Sequence, residues 1–218
     1  MKLTLENLKK EAKIFIKQEN KINHTELIGI TDGKAIGTYI EREFKKHLKK
    51  KYQFNLGSSA KGIDFPDPHI NTDIKVTSIK KPQSSSPFKN IEQKIYGLGH
   101  NLLVFVYKKR DMGNKCYLEF KHCIFISSEK TGDYTLTKKL RTMINNNASE
   151  EEIIKFLNEK NIPGNEEILK KLAKKIIANP PQQGYLTISN ALQWRIKYNN
   201  AINLKDELNG EFKYGKIY

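Results

Sequence analysis

Gly62-Ile63-Asp64-Phe65-Pro66-Asp67, followed closely by Asp73-Ile74-Lys75, is the stretch on which the fold of this chain turns. Residues 60–65 and 72–78 have the make-up of two short strands, and Pro66, Pro68 and Asn71 between them are turn residues that bring Asp64 back beside Asp73. On the second strand a period of two puts Asp73 and Lys75 on one face and sends Ile74 into the core. Two carboxylates and a lysine gathered in this way suit Mg²⁺, a hard cation that takes oxygen ligands and lowers the pKa of a bound water. The metal would sit between Asp64 and Asp73, with Lys75 beside the attacking water. That arrangement points to phosphodiester hydrolysis.

An acid two positions before a lysine is cheap in a chain with 39 Lys and Arg. Glu11/Lys13, Asp32/Lys34, Glu43/Lys45, Glu92/Lys94, Glu119/Lys121 and Glu211/Lys213 match as well, but most lie in predicted helices or turns, where positions i and i+2 diverge. Only Glu119/Lys121 also reads as a strand. Its upstream acid, Asp111, falls in the turn 109–114, where Asp is expected for turn chemistry alone. The bland alternative for the 64/73/75 set is a solvated hairpin carrying scattered charges.

The flanks favour the catalytic reading. Before the motif a helix runs from about Ala35 to Lys50, with Ile36, Tyr39, Ile40, Phe44 and Leu48 on one stripe. After it come a polar loop, Pro82 to Pro87, a helix-like run from Phe88 to about Leu98, and the apolar strand Leu102 to Tyr107. Helix, strand, strand, helix, strand resembles the PD-(D/E)xK nuclease core, and the segment 33–107 looks most like a type II restriction endonuclease of that superfamily. The resemblance lies in order and spacing rather than in a long shared string, and covers about the middle third of the chain. It implies an α/β fold, a mixed central sheet flanked by helices, with a helical C-terminal region. It implies Asp64 and Asp73 as metal ligands, the Ile74 carbonyl as a further ligand, and Lys75 as the residue that positions or activates water. A glutamate from the preceding helix is also implied, Glu41 being the best match and Glu43 the second. The literal Pro-Asp pair is Pro66-Asp67, but Asp67 is too close to Asp73 to leave much strand between them, so Asp64 is preferred and Asp67 is kept as a supporting group.

A chain of 218 residues holds one substantial core or a core with a small appendage. Its net charge of +15 points to a polyanionic partner, although an AT-rich coding bias would also enrich Lys, Asn and Ile. No apolar run reaches membrane-spanning length, and residues 1–20 read as an amphipathic Lys/Glu helix rather than a signal peptide, so a cytoplasmic protein with no membrane partner is expected. Cys116 and Cys123 lack zinc spacing and read as reduced core thiols. The histidines 24, 47, 69, 100 and 122 form no ligand pair at helical spacing.

Residues 4–19 form a first helix, 23–33 a connector, and 116–126 one or two strands, so a nuclease core is expected over residues 1–130. Residues 131–218 form a helical C-terminal region, with three helical stretches between 135 and 178. In the third, Ile168, Leu169, Leu172, Ile176 and Ile177 are expected to face inward. A last helix is expected from Ser189, its N-cap, carrying Asn190, Gln193, Arg195, Lys197 and Asn199. Asn, Gln and Arg pair with base edges in the major groove, which makes this helix a candidate recognition element. The alternative is an amphipathic helix with Ala191, Leu192, Trp194 and Ile196 in the core. Gln83, Ser84, Ser85 and Ser86 directly follow the catalytic strand and could hold a phosphate or a base edge; a plain flexible loop is the other reading. Lys94 is a candidate phosphate contact, or else merely solvated.

Together these features predict an Mg²⁺-dependent type II restriction endonuclease acting on double-stranded DNA. Cutting both strands of a palindrome calls for a two-fold homodimer, and a cognate DNA methyltransferase is implied as functional partner. A repair or recombination nuclease of the same fold, and a DNA-binding protein without catalysis, are the alternatives.

Overall fold

The computed structural model describes residues 1–57, 62–189 and 192–204, together with the backbone of 207–208 and 211–214. The chain divides into two compact units that interleave along the sequence. One comprises residues 1–84, 100–127 and 201–218, the other residues 85–99 and 128–200. A single boundary near residue 130 therefore describes only part of the division, because the segment 85–99 belongs with the helices that follow it.

The first unit is mixed α/β. Helix α1 (Leu5–Glu19) starts at Thr4, whose hydroxyl accepts the Asn7 N–H, and α2 (Gly33–Lys49) starts at Asp32, whose carboxylate accepts the N–H groups of Lys34 and Ala35. Strands β1 (Thr72–Ser78), β3 (Asn101–Met112) and β4 (Lys115–Ile126) form a sheet extended by β8 (Glu211–Tyr214) and β7 (Glu207–Leu208), in the order β1-β3-β4-β8-β7. β1 runs parallel to β3, and the other pairings are antiparallel. Leu102 through Val106 are all fully buried, as a continuous apolar run predicts for a central strand covered on both faces. Phe15 of α1, Phe44 of α2, Phe105 of β3 and Phe120 of β4 join at ring-centroid distances of 5.1 to 6.1 Å, with Ile74 of β1 in the same core. Cys116 and Cys123 are free, buried thiols.

The strand expected over 60–65 shrinks to one antiparallel bridge, Phe65 to Thr72, with residues 58–61 outside the described set. Pro66 and Pro68 lack the N–H that would lengthen the ladder.

Half-buried Glu19 and buried His24 meet at the end of α1. Glu19 is pushed up to about 7 by its burial and then by the charge of Glu43, and His24 is held down by its own burial. Because the folded chain binds a proton at Glu19 more tightly than the unfolded chain does, ionised Glu19 opposes folding. The penalty is absent below the ordinary carboxylate range, grows as pH rises from about 4.5, and is complete above about 7. Glu19→Gln should therefore raise the melting temperature at pH 8 and have little effect at pH 4.5, as thermal melts at the two values would record.

In the second unit, α3 (Ile91–Tyr96), α4 (Tyr134–Asn145), α5 (Glu150–Glu159) and α6 (Glu166–Ala178) share one apolar core. α6 buries Leu169, Leu172, Ala173 and Ile176 but leaves Ile168 and Ile177 exposed, so its inner stripe is narrower than expected.

The last expected helix does not form. Thr187–Ile188 (β5) and Arg195–Lys197 (β6) make an antiparallel hairpin, and only Asn199–Ile202 (α7) is helical. Ser189 caps no helix; its N–H donates to the Arg195 carbonyl at 2.7 Å. The reason lies in the spacing. Trp194, Ile196 and Tyr198 alternate with exposed or half-exposed residues, a period of two rather than of 3.6. Gln83–Pro87 (β2) is likewise a strand, not a loop, and lies next to β6 in a small sheet ordered β2-β6-β5.

Candidate active site

Helix α2 and strand β1 build the site within the first unit. Glu41 and Lys45 lie one helical turn apart on α2 and so share a face. The Lys45 ammonium is ion-paired with Asp64 Oδ1, while Asp64 Oδ2 accepts the Ile74 N–H at 2.8 Å. β1 is the edge strand of its sheet, and on its open side Thr72 gives both its N–H and its carbonyl to Phe65. Ile74, two positions on, turns its main chain to that same edge, so its carbonyl faces the side on which Asp64 lies. Its side chain is buried in the core, as the period of two predicts. Asp73 is only 5 % exposed, and Lys75 Nζ stands 2.7 Å from its Oδ2. His100 Nε2 stands 4.0 Å from the same oxygen.

Burial dominates the electrostatics, and the neighbouring charges adjust it. Glu41 is pushed up to about 7 by burial, then by the Asp64 charge, against the pull of Lys45 and Lys75. Asp73 is pushed up to about 6, again by burial first; Lys75 opposes the shift and Asp64 adds to it. The two lysines do not fully offset the effect of burial on Glu41 and Asp73.

Among the described residues no three His, Cys, Asp or Glu side chains converge as a ready-made metal cage. Mg²⁺ does not need one, since it is commonly held by one or two carboxylates together with waters and substrate phosphate. Asp64, Asp73 and the Ile74 carbonyl are a hard-oxygen set of that kind, so the residues present fit the ion.

Comparison with known proteins decides the family. The family model described as "Type II restriction enzyme NspV" matches residues 2–213. The type II restriction enzyme NspV of Nostoc sp. is 45% identical over 210 residues, covering 95% of this chain and 94% of that protein. The chain belongs to the NspV family of type II restriction enzymes. No solved structure matches it. The restriction-enzyme likeness first drawn from residues 33–107 thus extends over nearly the whole chain, including the second unit.

Within this NspV-family chain the remaining candidates scatter. Glu43 points away from the site, bound to Lys46 at 2.9 Å and Arg42 at 3.1 Å. Asp67 caps its own turn, accepting the His69 N–H at 3.0 Å, with Lys2 3.5 Å away. Glu119 is tied to Arg110 and Lys121, each at 2.6 Å. Lys94 is buried rather than solvated: it is 7 % exposed, and its Nζ lies 4.2 Å from the Trp194 ring centroid. Ser84 is buried and Gln83 half-buried, its N–H donating to Thr77 Oγ1 at 3.1 Å, while Ser85 and Ser86 are exposed. Gln193 and Arg195 are exposed, Lys197 is half-buried, and Asn190 lies outside the described residues.

Two site residues went unanticipated. Lys45 carried a signal, the one-turn spacing from Glu41. His100 carried none, because its approach to Asp73 depends on the β1–β3 register, which sets Thr72 opposite Asn101.

Proposed function

We infer that this type II restriction enzyme hydrolyses double-stranded DNA in an Mg²⁺-dependent reaction at Glu41, Asp64, Asp73 and Lys75, on a core of the PD-(D/E)xK kind. The observation that carries the reading is the meeting of Asp64, from the loop before β1, with Asp73 and Lys75 on β1 and Glu41 on α2. Asp64, Asp73 and the Ile74 carbonyl would hold the ion. When bound, Mg²⁺ supplies charge to the scissile phosphate and makes an adjacent water more acidic.

The protein's own groups do the rest. Lys75 directs its ammonium at the reacting phosphate and water, where negative charge grows in the transition state. Glu41, with its proton affinity raised to about 7, is suited to take up the proton that water loses near neutral pH. Lys45 holds Asp64 in place from the helix side.

Base and phosphate contacts are assigned to Gln83, Ser84, Ser85 and Ser86 on β2 and to Gln193, Arg195 and Lys197 at the β5–β6 hairpin. A two-stranded β-ribbon fits the major groove as a helix does, so losing the expected helix leaves this assignment open to the same side chains. A two-fold dimer would present two such sites to a palindrome, and a methyltransferase of the same specificity would protect host DNA. No helix among the described residues is long and apolar enough to cross a membrane.

The test is a plasmid digest. Discrete fragments in Mg²⁺ and none in excess chelator are expected, whereas structure-dependent nicking without a fixed site would favour a repair nuclease. Binding should weaken steeply with salt, each neutralised phosphate adding roughly 0.9 to the slope of log affinity against log salt. A flat titration would contradict the reading of the +15 charge as DNA-directed.

A further inference from the structure

Burial isolates a cation in the second unit. Lys94, near the end of α3, is 7 % exposed, and its Nζ faces the Trp194 ring. An aromatic face attracts a cation but brings no counter-charge. Among the described residues no carboxylate, carbonyl or hydroxyl accepts a hydrogen bond from this ammonium. Asp133 is the acid whose charge acts on it, yet that carboxylate is engaged at the start of α4, where it accepts the Leu136 N–H at 2.7 Å. A buried ammonium without such partners is costly, and burial lowers the proton affinity of Lys94 accordingly.

Lys94 lines a cavity of about 600 Å³, within the range of about 300 to 1,000 Å³ that small-molecule sites occupy. Its whole lining belongs to the second unit, whereas Glu41, Asp64, Asp73 and Lys75 belong to the first. Leu136, Phe156, Ile188 and Trp194 give it a largely apolar wall with two aromatic rings. Lys139 and Lys160 join Lys94 as cations, against Glu159 and the helix-capping Asp133. Both added lysines are exposed and form no ion pair among the described residues, and Lys160 Nζ lies 5.8 Å from the Phe156 ring centroid. An inorganic anion would satisfy the lysines and leave the rings bare. A hydrocarbon would cover the rings and leave the buried ammonium unpaired. A flat apolar body bearing a phosphate satisfies both, since nucleobases stack on aromatic side chains and phosphate takes charge-assisted hydrogen bonds from lysine.

We propose that this cavity is a binding site for a nucleoside phosphate, with the phosphate on Lys94, Lys139 and Lys160 and the base against Trp194 and Phe156. That chemistry has two sources, a free nucleotide or a nucleotide turned out of the DNA duplex. The first is independent of the cleavage site; the second rests on the reading of the protein as an enzyme acting on double-stranded DNA.

Trp194 is the chain's one tryptophan, so indole fluorescence reports on this cavity alone. The full-length protein is titrated in chelator with the deoxynucleoside monophosphates, with the matching nucleosides and with inorganic phosphate. At least one nucleotide should quench Trp194 saturably, with its nucleoside and inorganic phosphate each binding about tenfold more weakly or worse. Lys94→Met, which keeps the apolar stem, should weaken that binding about tenfold or more and melt no lower than wild type. Should Lys94→Met not fold, the double variant Lys139→Ala/Lys160→Ala takes its place, since both positions are exposed, and the same loss is expected. The duplex source is read from 2-aminopurine placed at each position of the cleavage-site duplex in turn. A rise in its fluorescence with wild type but not with the lysine variant makes the substrate the source; quenching of Trp194 by free nucleotides without that rise makes it a free nucleotide. The proposal falls if neither probe responds, if inorganic phosphate binds as tightly as the nucleotides, or if the lysine variants bind like wild type. Failure of the cleavage reading looks different: wild type then cuts no duplex, while quenching by free nucleotides is unaffected.

Discussion

Asp73→Ala should abolish cleavage, taking the rate in Mg²⁺ below about one-thousandth of wild type while the fold survives. On the proposed assignment the chemistry loses one of two carboxylate ligands, and Mg²⁺ sites seldom have ligands to spare. The fold loses little. Asp73 is buried beside Asp64 with its proton affinity raised, so its ionised form is a burden that alanine removes. Its nearer basic partner, Lys75, has a side chain 28 % exposed and can be solvated when the carboxylate goes. The melting temperature should hold or rise, and DNA binding without metal should hold or strengthen, because a carboxylate near the phosphate is gone. Asp64→Ala should be as inactive but less stable by about 1 kcal/mol, since Asp64 also satisfies the Ile74 N–H. Glu41→Gln should cost less than either. Single-turnover cleavage with thermal melts separates these outcomes. Wild-type rates in Asp73→Ala would sink the site and turn attention to Glu119.

Elements set by strong local patterns were legible from the residues. α1 and α2 are read from their apolar stripes, while the caps Thr4 and Asp32 emerge only in the structure. β3 is read from an unbroken apolar run, and the shared face of Asp73 and Lys75 from strand alternation. The failures came where short segments take their structure from partners far away in sequence. The hairpin at 187–197 looked helical because a serine preceded a polar stretch, yet strand formation depends on Ile188 meeting Ile196 and on Phe88 binding Trp194. Lys94 looked like a surface lysine because nothing local shows that Trp194 will cover it. His100 needed the β1–β3 register. Lys45 was within reach of helix geometry alone.

Lys75 and Lys45 both pair with a site aspartate, yet they should fail in different ways when removed. Lys75 is paired with Asp73 on β1, and on the proposed assignment Lys75→Ala loses a positive charge aimed at the reacting group. Its kcat should fall about 10²- to 10³-fold at every pH, with DNA affinity changed no more than about threefold. Lys45 acts through others. It pairs with Asp64 and, of the two lysines, exerts the larger pull against the rise in Glu41 proton affinity. Removing it should drive that affinity above its present value of about 7, so a higher pH is needed to ionise Glu41. Wild-type cleavage should climb as pH rises through about 7; Lys45→Ala should climb later and approach the wild-type plateau, whereas Lys75→Ala, which loses the smaller of the two pulls on Glu41, should be displaced less along the pH axis and reach a much lower plateau. A kcat profile from pH 6 to 9 distinguishes the two. If Lys45→Ala instead lowers the plateau as deeply as Lys75→Ala, with no displacement along the pH axis, then Lys45 touches the reacting phosphate itself and Glu41 is not the proton acceptor it tunes.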